Sequence, residues 1–303
     1  MLGIIILNYN TWEETELCVD SIRKNNTAPY RIYLVDNCST DDSAEKLEAL
    51  YKDAGDIVLI YNSINSGYSA GNNVGIRRAE EEGCEYIFIV NSDVELLNDA
   101  FTIMFKTLES EPDCMMIGPS VMDNNRRESQ IPRYVLTPSV FVYERHPFCL
   151  IPRFAEKGNR LIPLDRNPKL FEGSVAGCCF GMRTEDFRRL GYFDENVFLY
   201  YEEDILGYKM KALGKMAGVN TDARVWHKAN VSTNKRGNAF VQFHRWTSVL
   251  YLLKEYARIS KPKQIAVALW NIITWDALSL KSSDYRSRNA AFRKKNWSII
   301  SDK

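Results

Sequence analysis

Over the first hundred residues, short apolar runs alternate with segments whose apolar positions repeat at helical spacing. Ile4–Asn8, Arg31–Asp36, Ile57–Tyr61 and Tyr86–Asn91 are β-rich runs of strand length. Between them, Glu13–Lys24, Asp41–Tyr51 and Ser69–Glu82 carry helical patterns. The first has Leu17, Val19 and Ile22 for its inner face; the second opens with the capping series Ser39-Thr40-Asp41-Asp42. Strands separated by helices of this length predict βαβ units, hence an α/β fold on a mainly parallel sheet with right-handed crossovers. From about Met115 to Phe171 the pattern loosens. Pro119, Pro132, Pro138, Pro147, Pro152, Pro163 and Pro168 break it, which predicts a long irregular excursion over the sheet. Regular signals return over Gly173–Arg183, then as helices over Asp186–Leu190 and Ile205–Leu213 and a short strand over Ala223–His227. From about Val241 a helical pattern rich in Trp and basic residues runs to the end.

Composition narrows the function classes. A length of 303 residues suffices for one large α/β domain with an appendage, and 26% charged with 12% aromatic residues belongs to a folded chain. Equal numbers of basic and acidic side chains, 39 of each, argue against a nucleic-acid partner, which calls for a basic surplus. The balance is uneven along the chain: residues 281–303 hold seven bases and two acids, so an acidic body ends in a basic tail. The apolar stretch around Ile265–Ile273 is too short to span a bilayer, and no leader pattern precedes the opening strand. Seven cysteines, with only Cys178 and Cys179 adjacent, fit neither a disulfide framework nor a zinc pattern and predict a cytoplasmic setting.

Ligands of a parallel sheet sit beyond the carboxyl ends of its strands. Here every such strand ends on polar residues: Asn8-Tyr9-Asn10, Asp36-Asn37, Asn62 to Asn65, and Asn91-Ser92-Asp93. A carboxylate such as Asp93 repels phosphates, but it can hold a divalent cation that bridges to them; the plainer alternative is a helix cap. Residues Asn65 to Asn73 place Gly67, Gly71 and several amides just before a helix, where free N–H groups meet polar or anionic ligands. Their spacing matches neither the dinucleotide nor the Walker A pattern, and an ordinary tight turn is the alternative. Asp36 is placed to accept from a base N–H or a ribose hydroxyl. Tyr200-Tyr201-Glu202-Glu203-Asp204 concentrates three acids, which raise one another's pKa toward a general base's range and equally suit the first turn of a helix. His227, after Val225-Trp226, is a metal ligand, a diphosphate contact or a structural histidine.

Taken together, these segments resemble the family 2 glycosyltransferases of the GT-A fold, especially the bacterial rhamnosyltransferase-like branch, in the family's order over roughly residues 3–255. The opening strand and turn stand as Ile4 to Asn10, and the second nucleotide segment as Val35 to Asp41. The branch's Asn-x-Gly-x-x-x-Gly-Asn-Asn stands as Asn65 to Asn73. The family's Asp-x-Asp metal motif reads Asn91-Ser92-Asp93, so Asp93 inherits the metal role alone among these three. Gly173 to Cys179 resembles the segment lining the sugar pocket, and Phe193-Asp194-Glu195 with Phe198 to Asp204 the start of the acceptor-site helix. Two registers fit the acidic run: one puts the base at Glu203, the other at Asp204, and we take Glu203. Val225-Trp226-His227 with Ser232 resembles the His-containing element near metal and diphosphate.

The resemblance implies an inverting transferase of the hexosyltransferase class with a nucleotide-sugar donor, dTDP-rhamnose or a UDP-sugar, acting on a glycan or lipid-linked acceptor in cell-surface polysaccharide synthesis. It implies a GT-A catalytic domain over residues 1–240, with a nucleotide half over 1–114 and an acceptor half over 115–240, and a helical basic extension over 241–303. Asn8, Tyr9, Asn10, Asp36, Asn65, Gly67, Gly71, Asn73 and Ser92 would hold the nucleotide. Asp93 and His227 would hold Mn2+ or Mg2+, and Gly177, Cys178 and Tyr201 would line the sugar and acceptor pocket. Glu203, with Glu202 and Asp204, would supply the base, and Lys235, Arg236 or Arg245 would add positive charge. The tail suits either an anionic membrane surface through residues 262–303 or packing against the catalytic domain or a second copy. Two rival readings stand beside this one. A sugar nucleotidyltransferase would need a basic glycine-rich N-terminal loop, yet the first 22 residues hold no Lys or Arg. A non-catalytic sugar-nucleotide binder would have no need of the acid cluster.

Overall fold

The computed structural model describes residues 1–124, 132–134, 162–228 and 237–301. Its first elements follow the predicted alternation to within two residues: β1 (Leu2–Asn8), α1 (Trp12–Asn25), β2 (Tyr30–Asp36), α2 (Ser43–Tyr51), β3 (Ile57–Tyr61), α3 (Tyr68–Glu81) and β4 (Tyr86–Asn91). After these come β5 (Val94–Leu96), α4 (Ala100–Ser110), β6 (Cys114–Met122), β7 (Arg133–Tyr134), β8 (Lys169–Phe171), β9 (Gly173–Ser174), β10 (Cys179–Arg183), α5 (Thr184–Leu190), α6 (Glu202–Ala212) and β11 (Met216–His227). The helices α7 (Asn238–Glu255), α8 (Lys261–Lys281) and α9 (Ser283–Ser301) end the described chain.

The strands form a nine-stranded sheet of order β3-β2-β1-β4-β10-β6-β11-β5, with β8 also paired to β11. β3, β2, β1 and β4 are mutually parallel. β10 runs antiparallel between β4 and β6, and β11 runs parallel to β6. The central sheet is therefore mostly parallel in strand direction, with β10, β5 and β8 reversed. Successive residues on β1, β2 and β4 feed opposite layers, because a strand's side chains alternate. Ile4, Ile6, Ile32, Leu34, Phe88 and Val90 join one core with Val19, Leu47 and Phe101, while Ile5, Tyr33, Ile87 and Ile89 join the other with Ile76 and Phe187. Burial on both faces explains why these strands are continuous apolar runs.

Four expectations are corrected. Leu17 does not face inward; it is 46% exposed, because Thr15, Cys18, Val19 and Ile22 form the i, i+3, i+4, i+7 stripe that meets the sheet. The helix expected from Asp41 begins at Ser43, whose N–H donates to Asp41 Oδ1 at 3.0 Å, so Asp41 turns the chain into the helix from outside it. The irregular excursion does not start at Met115: β6 is a buried strand. Pro119 is tolerated there because the ladder to β11 is already interrupted between Asn220, its partner, and Arg224. The prolines at 138, 147 and 152 lie outside the described residues. Finally, the strand expected over Ala223–His227 is the end of the twelve-residue β11.

The chain divides into two compact units. The first comprises the described residues of 1–135, 161–196 and 202–232 and contains the sheet; the second comprises those of 197–201 and 233–303. In the second, α7, α8 and α9 pack around Trp275, which stacks on Phe292 with ring centroids 4.0 Å apart. None of the six described cysteines is in a disulfide, and no helix of the described residues is long and apolar enough to cross a membrane.

The tightest approach inside the sheet is at β10. A Cβ added to Gly181 would stand 2.3 Å from a ring carbon of Phe88, and that ring is held against Phe101. Gly181→Ala is therefore expected to cost about 1–3 kcal/mol by overpacking, whereas Gly55→Ala, which meets nothing within 4 Å, stays near the parent. Chemical denaturation of both variants checks this.

Candidate active site

The polar strand ends are brought to one level by register. Asn8 pairs with Asp36 across β1 and β2, and Leu7 with Asn91 across β1 and β4. A buried amide needs partners, and Asn8 finds four. Its Nδ2 donates to Asp36 Oδ1 (2.8 Å) and Ser39 Oγ (3.1 Å), and its Oδ1 accepts from Thr15 (2.9 Å) and Thr11 (3.2 Å). Asp36 also accepts from the Ser39 hydroxyl and backbone N–H. Asn10, at φ 57°, joins the same knot: its backbone N–H donates to Ser39 Oγ and its amide exchanges hydrogen bonds with Thr40. Ser92 is tied in through the Thr11 hydroxyl at 3.0 Å.

The loop after β3 arrives at the same place. Asn65 Oδ1 accepts from the Gly67 N–H, and Asn37 Nδ2 donates to Asn65 Oδ1 and the Gly67 carbonyl. Gly67 takes φ 96°, a conformation glycine adopts without the Cβ clash, and so turns the chain into α3. The first residue of α3, Tyr68, sends its hydroxyl to within 2.9 Å of the Gly177 carbonyl and 3.0 Å of Asn91 Oδ1. Burial, then the acids Glu202 and Glu203, push that phenol's pKa far up, so it stays a neutral donor.

The cationic side of the site is made by β11. Its antiparallel pairing sets His227 opposite Val94, and Lys228 N–H donates to the Asp93 carbonyl at 3.0 Å. His227 Nε2 therefore lies 3.2 Å from Asp93 Oδ1, with both side chains largely buried. Burial alone would strip the imidazole of its proton. The Cys178 sulfur and the Asp93 carboxylate, both hydrogen-bonded to it, outweigh that penalty and raise the pKa to about 10. Lys228 Nζ pairs with Glu95 at 2.8 Å close by. The Cys178 carbonyl accepts from Asn91 N–H, which fixes the segment 177–178 against the end of β4.

The acidic side is the first turn of α6. An ideal Cβ on Gly177 would lie 3.4 Å from Glu203 Oε2, so Glu203 rests against the same 177–178 segment that reaches His227. Glu203 is half-buried, whereas Glu202 and Asp204 are buried. Burial first, then Glu203 and Asp204, hold Glu202 protonated well above the ordinary carboxylate range, and its Oε2 has no partner. The preceding Tyr200 and Tyr201 both take positive φ, 72° and 69°, which is strained for residues bearing a side chain; Tyr201 belongs to the second unit.

The expected residues are thus sorted. Asn8, Asn10, Asp36 and Ser92 share one network, Asn65 and Gly67 shape the entry to α3, and Asp93, His227, Cys178, Gly177 and Glu203 are linked in series. Two residues expected to grip a ligand have other work. Gly71 lies inside α3, where a Cβ would meet Leu7 at 2.7 Å; its smallness lets the helix approach β1. Asn73 is fully buried and spends its amide on Phe193 and Glu195. Lys235, Arg236 and Ser232 lie outside the described residues, and Arg245 is exposed in the second unit. Tyr68, Thr11 and Lys228 were missed. Tyr68 stood within the glycine-rich segment and Lys228 directly after His227, but neither residue type announces the role its register gives it.

Asp93 and His227 present one carboxylate and one imidazole, a donor pair able to hold a divalent cation jointly with a ligand's oxygens. Among the described residues, no group of three or more His, Cys, Asp or Glu side chains is gathered to hold a metal by itself.

Residues 3–191, more than half of the chain, match glycosyl transferase family 2. The low-salt glycan biosynthesis hexosyltransferase Agl10 of Haloferax volcanii is 26% identical over 214 residues, which are 69% of this chain and 61% of that protein, so the chain spans less than two thirds of that relative. The N-acetylglucosaminyl-diphospho-decaprenol L-rhamnosyltransferase of Mycobacterium tuberculosis is 23% identical over 275 residues, 85% of each chain. Among solved structures, GalNAc-T7 with UDP, GalNAc and Mn2+ superposes with a TM-score of 0.63 at 16% identity, over 88% of this chain and 51% of that one. S. aureus TarS 1-349 in complex with UDP-GlcNAc does so with a TM-score of 0.55 at 14% identity, over 88% and 70%. These likenesses identify the layered α/β architecture as the GT-A fold, and the chain belongs to glycosyl transferase family 2 as a rhamnosyltransferase-like member.

Proposed function

We propose that this protein is an inverting, metal-dependent transferase that moves a sugar from a nucleotide-diphosphate donor, dTDP-rhamnose or a UDP-sugar, to a hydroxyl of a glycan or lipid-linked acceptor in cell-surface polysaccharide synthesis. The relatives' names support the class of acceptor: one acts in glycan biosynthesis and one on a decaprenol-linked sugar. The reading assigns catalysis to residues 1–240, a nucleotide half over 1–114 and an acceptor half over 115–240. Free cysteines support a reducing, cytoplasmic setting.

One observation carries the mechanism: the short segment Gly177–Cys178 has Glu203 against one residue and His227, paired with Asp93, bonded to the other. Inversion needs a base and a leaving-group stabiliser on opposite sides of the reacting carbon, and this segment separates two such poles. Glu203, half-buried beside a protonated Glu202, is the carboxylate placed to accept the acceptor's hydroxyl proton. Glu202, held neutral, does not compete for that proton. At the other pole Asp93 and His227 would hold Mn2+ or Mg2+, which supplies charge neutralisation for the departing diphosphate. In metal-free protein His227 itself keeps a proton there up to about pH 10. Asn10, Tyr9, Asn65 and the N–H groups opening α3 are assigned to base and ribose, on the scaffold that Asn8 and Asp36 hold.

Three outcomes are expected. Asp93→Ala lowers metal-stimulated nucleoside diphosphate release by about a hundredfold or more; parent-like turnover removes the metal assignment. Glu203→Gln lowers kcat by about 10²–10⁴-fold while the thermal shift given by a UDP- or dTDP-sugar with Mn2+ persists. Should Asp204→Asn show that split and Glu203→Gln not, the base stands one residue later. Third, the His227 pKa is raised from its unfolded value of 6.5 to about 10, so its contribution to stability is complete below pH 6.5 and is lost as pH rises through about 10. Urea midpoints of the EDTA-treated protein should fall over that window, and Asp93→Asn should flatten the fall.

A further inference from the structure

Helix α8 buries a mixed face, Ala268, Ile272 and Trp275 together with the polar residues Gln264, Asn271 and Ser279. Their donor groups are held inside the second unit: Asn271 Nδ2 donates to Asn296 Oδ1 at 3.0 Å, Gln264 Nε2 to the Ile259 carbonyl while its Oε1 stays buried without a partner, and Ser279 Oγ to the Trp275 carbonyl. Its outward face carries Ile265, Leu269, Trp270, Ile273 and Leu280. At 100° per residue these five fall within a single arc of about 140°, and the carboxylate inside that arc, Asp276, is neutralised by Arg293 of α9. Ile273 is 63% and Leu280 83% exposed. A helix that leaves these five large apolar side chains in water is expensive unless that outer face is covered.

The rim of the face tells what covers it. Lys263 and Lys281 stand near the two ends of α8, and on α9 Lys294 and Lys295 precede Trp297 within one turn, the indole being 41% exposed. Among the described residues none of these four lysines is in an ion pair. The neighbouring Arg288 and Arg293 are instead committed to Asp284 and Asp276. A second copy of this face would bring eight like charges to one symmetric interface, which opposes association. An anionic lipid surface accepts the aliphatic arc, the two indoles and the lysines together.

The geometry points to α8, with the Lys294–Trp297 end of α9, as an interfacial anchor that lies in the plane of an anionic bilayer surface. The helix is about 30 Å long and does not cross the bilayer: Ile265, Leu269, Trp270, Ile273 and Leu280 enter the headgroup–acyl boundary while the lysines remain among the lipid phosphates. This inference stands on the second unit alone and is independent of which residue is the catalytic base.

Flotation of the full chain with vesicles tests it. The parent should float with vesicles of phosphatidylcholine and phosphatidylglycerol in about equal parts, less so at high salt, and poorly with phosphatidylcholine alone. The double variant Ile273→Asp, Leu280→Asp changes two exposed side chains, and its circular dichroism should match the parent. Its partition onto anionic vesicles should drop about tenfold or more. Replacing Lys263, Lys281, Lys294 and Lys295 by Gln should erase the preference for anionic over neutral vesicles. A parent that stays at the bottom of the gradient overturns the inference, as does a folded double variant that floats like the parent. A parent that sediments as a dimer without binding vesicles, and that the double variant turns into a monomer, assigns the face to a second copy and also overturns it.

Discussion

The register of β1 against its two neighbours is the constraint on which the site depends. A strand buried on both faces can carry polar groups only where it leaves the sheet, and the alignment of Asn8 with Asp36 and of Leu7 with Asn91 makes three strands leave at one level. The Asn8–Asp36 hydrogen bond then locks the tips, with Ser39, Thr11 and Thr15 filling the remaining positions. Leaving any one of these buried groups unpaired would cost about 1–3 kcal/mol, so the network is close to all-or-none. Everything downstream is measured from that level. Tyr68 reaches Asn91 and Gly177, Ser92 reaches Thr11, and Asp93, two residues beyond β4, stands where β11 delivers His227.

The parallel half of the fold could be read directly because its signals are local. Periodicity and strand-end polarity are properties of neighbouring residues, and they located β1 to β4 and their helices closely. Leu17 failed because its helix has two candidate stripes, and only contact with the sheet chooses the one through Cys18 and Val19. β6 failed for the opposite reason: Pro119 is a local breaker that a non-local bulge opposite Asn220 makes harmless. At the site, chemistry-bearing residue types such as Asp93, Glu203 and His227 stood out, whereas Tyr68 did not. A tyrosine in a glycine-rich turn has no signature until α3 docks on β1 and brings its hydroxyl to Gly177, and Gly71 looked like a ligand-approach glycine because close packing and close binding make the same demand on a Cβ.

The same ambiguity explains the tail. Its residues read as an apolar, Trp-bearing helix followed by a basic run, which is equally the description of a helix packed on a neighbour. What separates the two is which face the polar residues take. Asn271 and Asn296 meet between the described helices beside Ala268, Ile272 and Trp275, while Ile265, Leu269, Ile273 and Leu280 of the same helix stay exposed, so packing among those helices does not account for the outer set.

In the first unit, adjacent acids in one helical turn divide their work by depth. Glu202 is buried with an unpartnered oxygen and stays protonated, which spares Glu203 a full like-charge neighbour and leaves Glu203 the group that meets solvent beside Gly177. The Asp93–His227 pair is balanced in a complementary way. While His227 keeps its proton the two side chains sum to no net charge. On the proposed reading a divalent cation in place of that proton would leave the pair with one net positive charge, the sign that a departing diphosphate calls for.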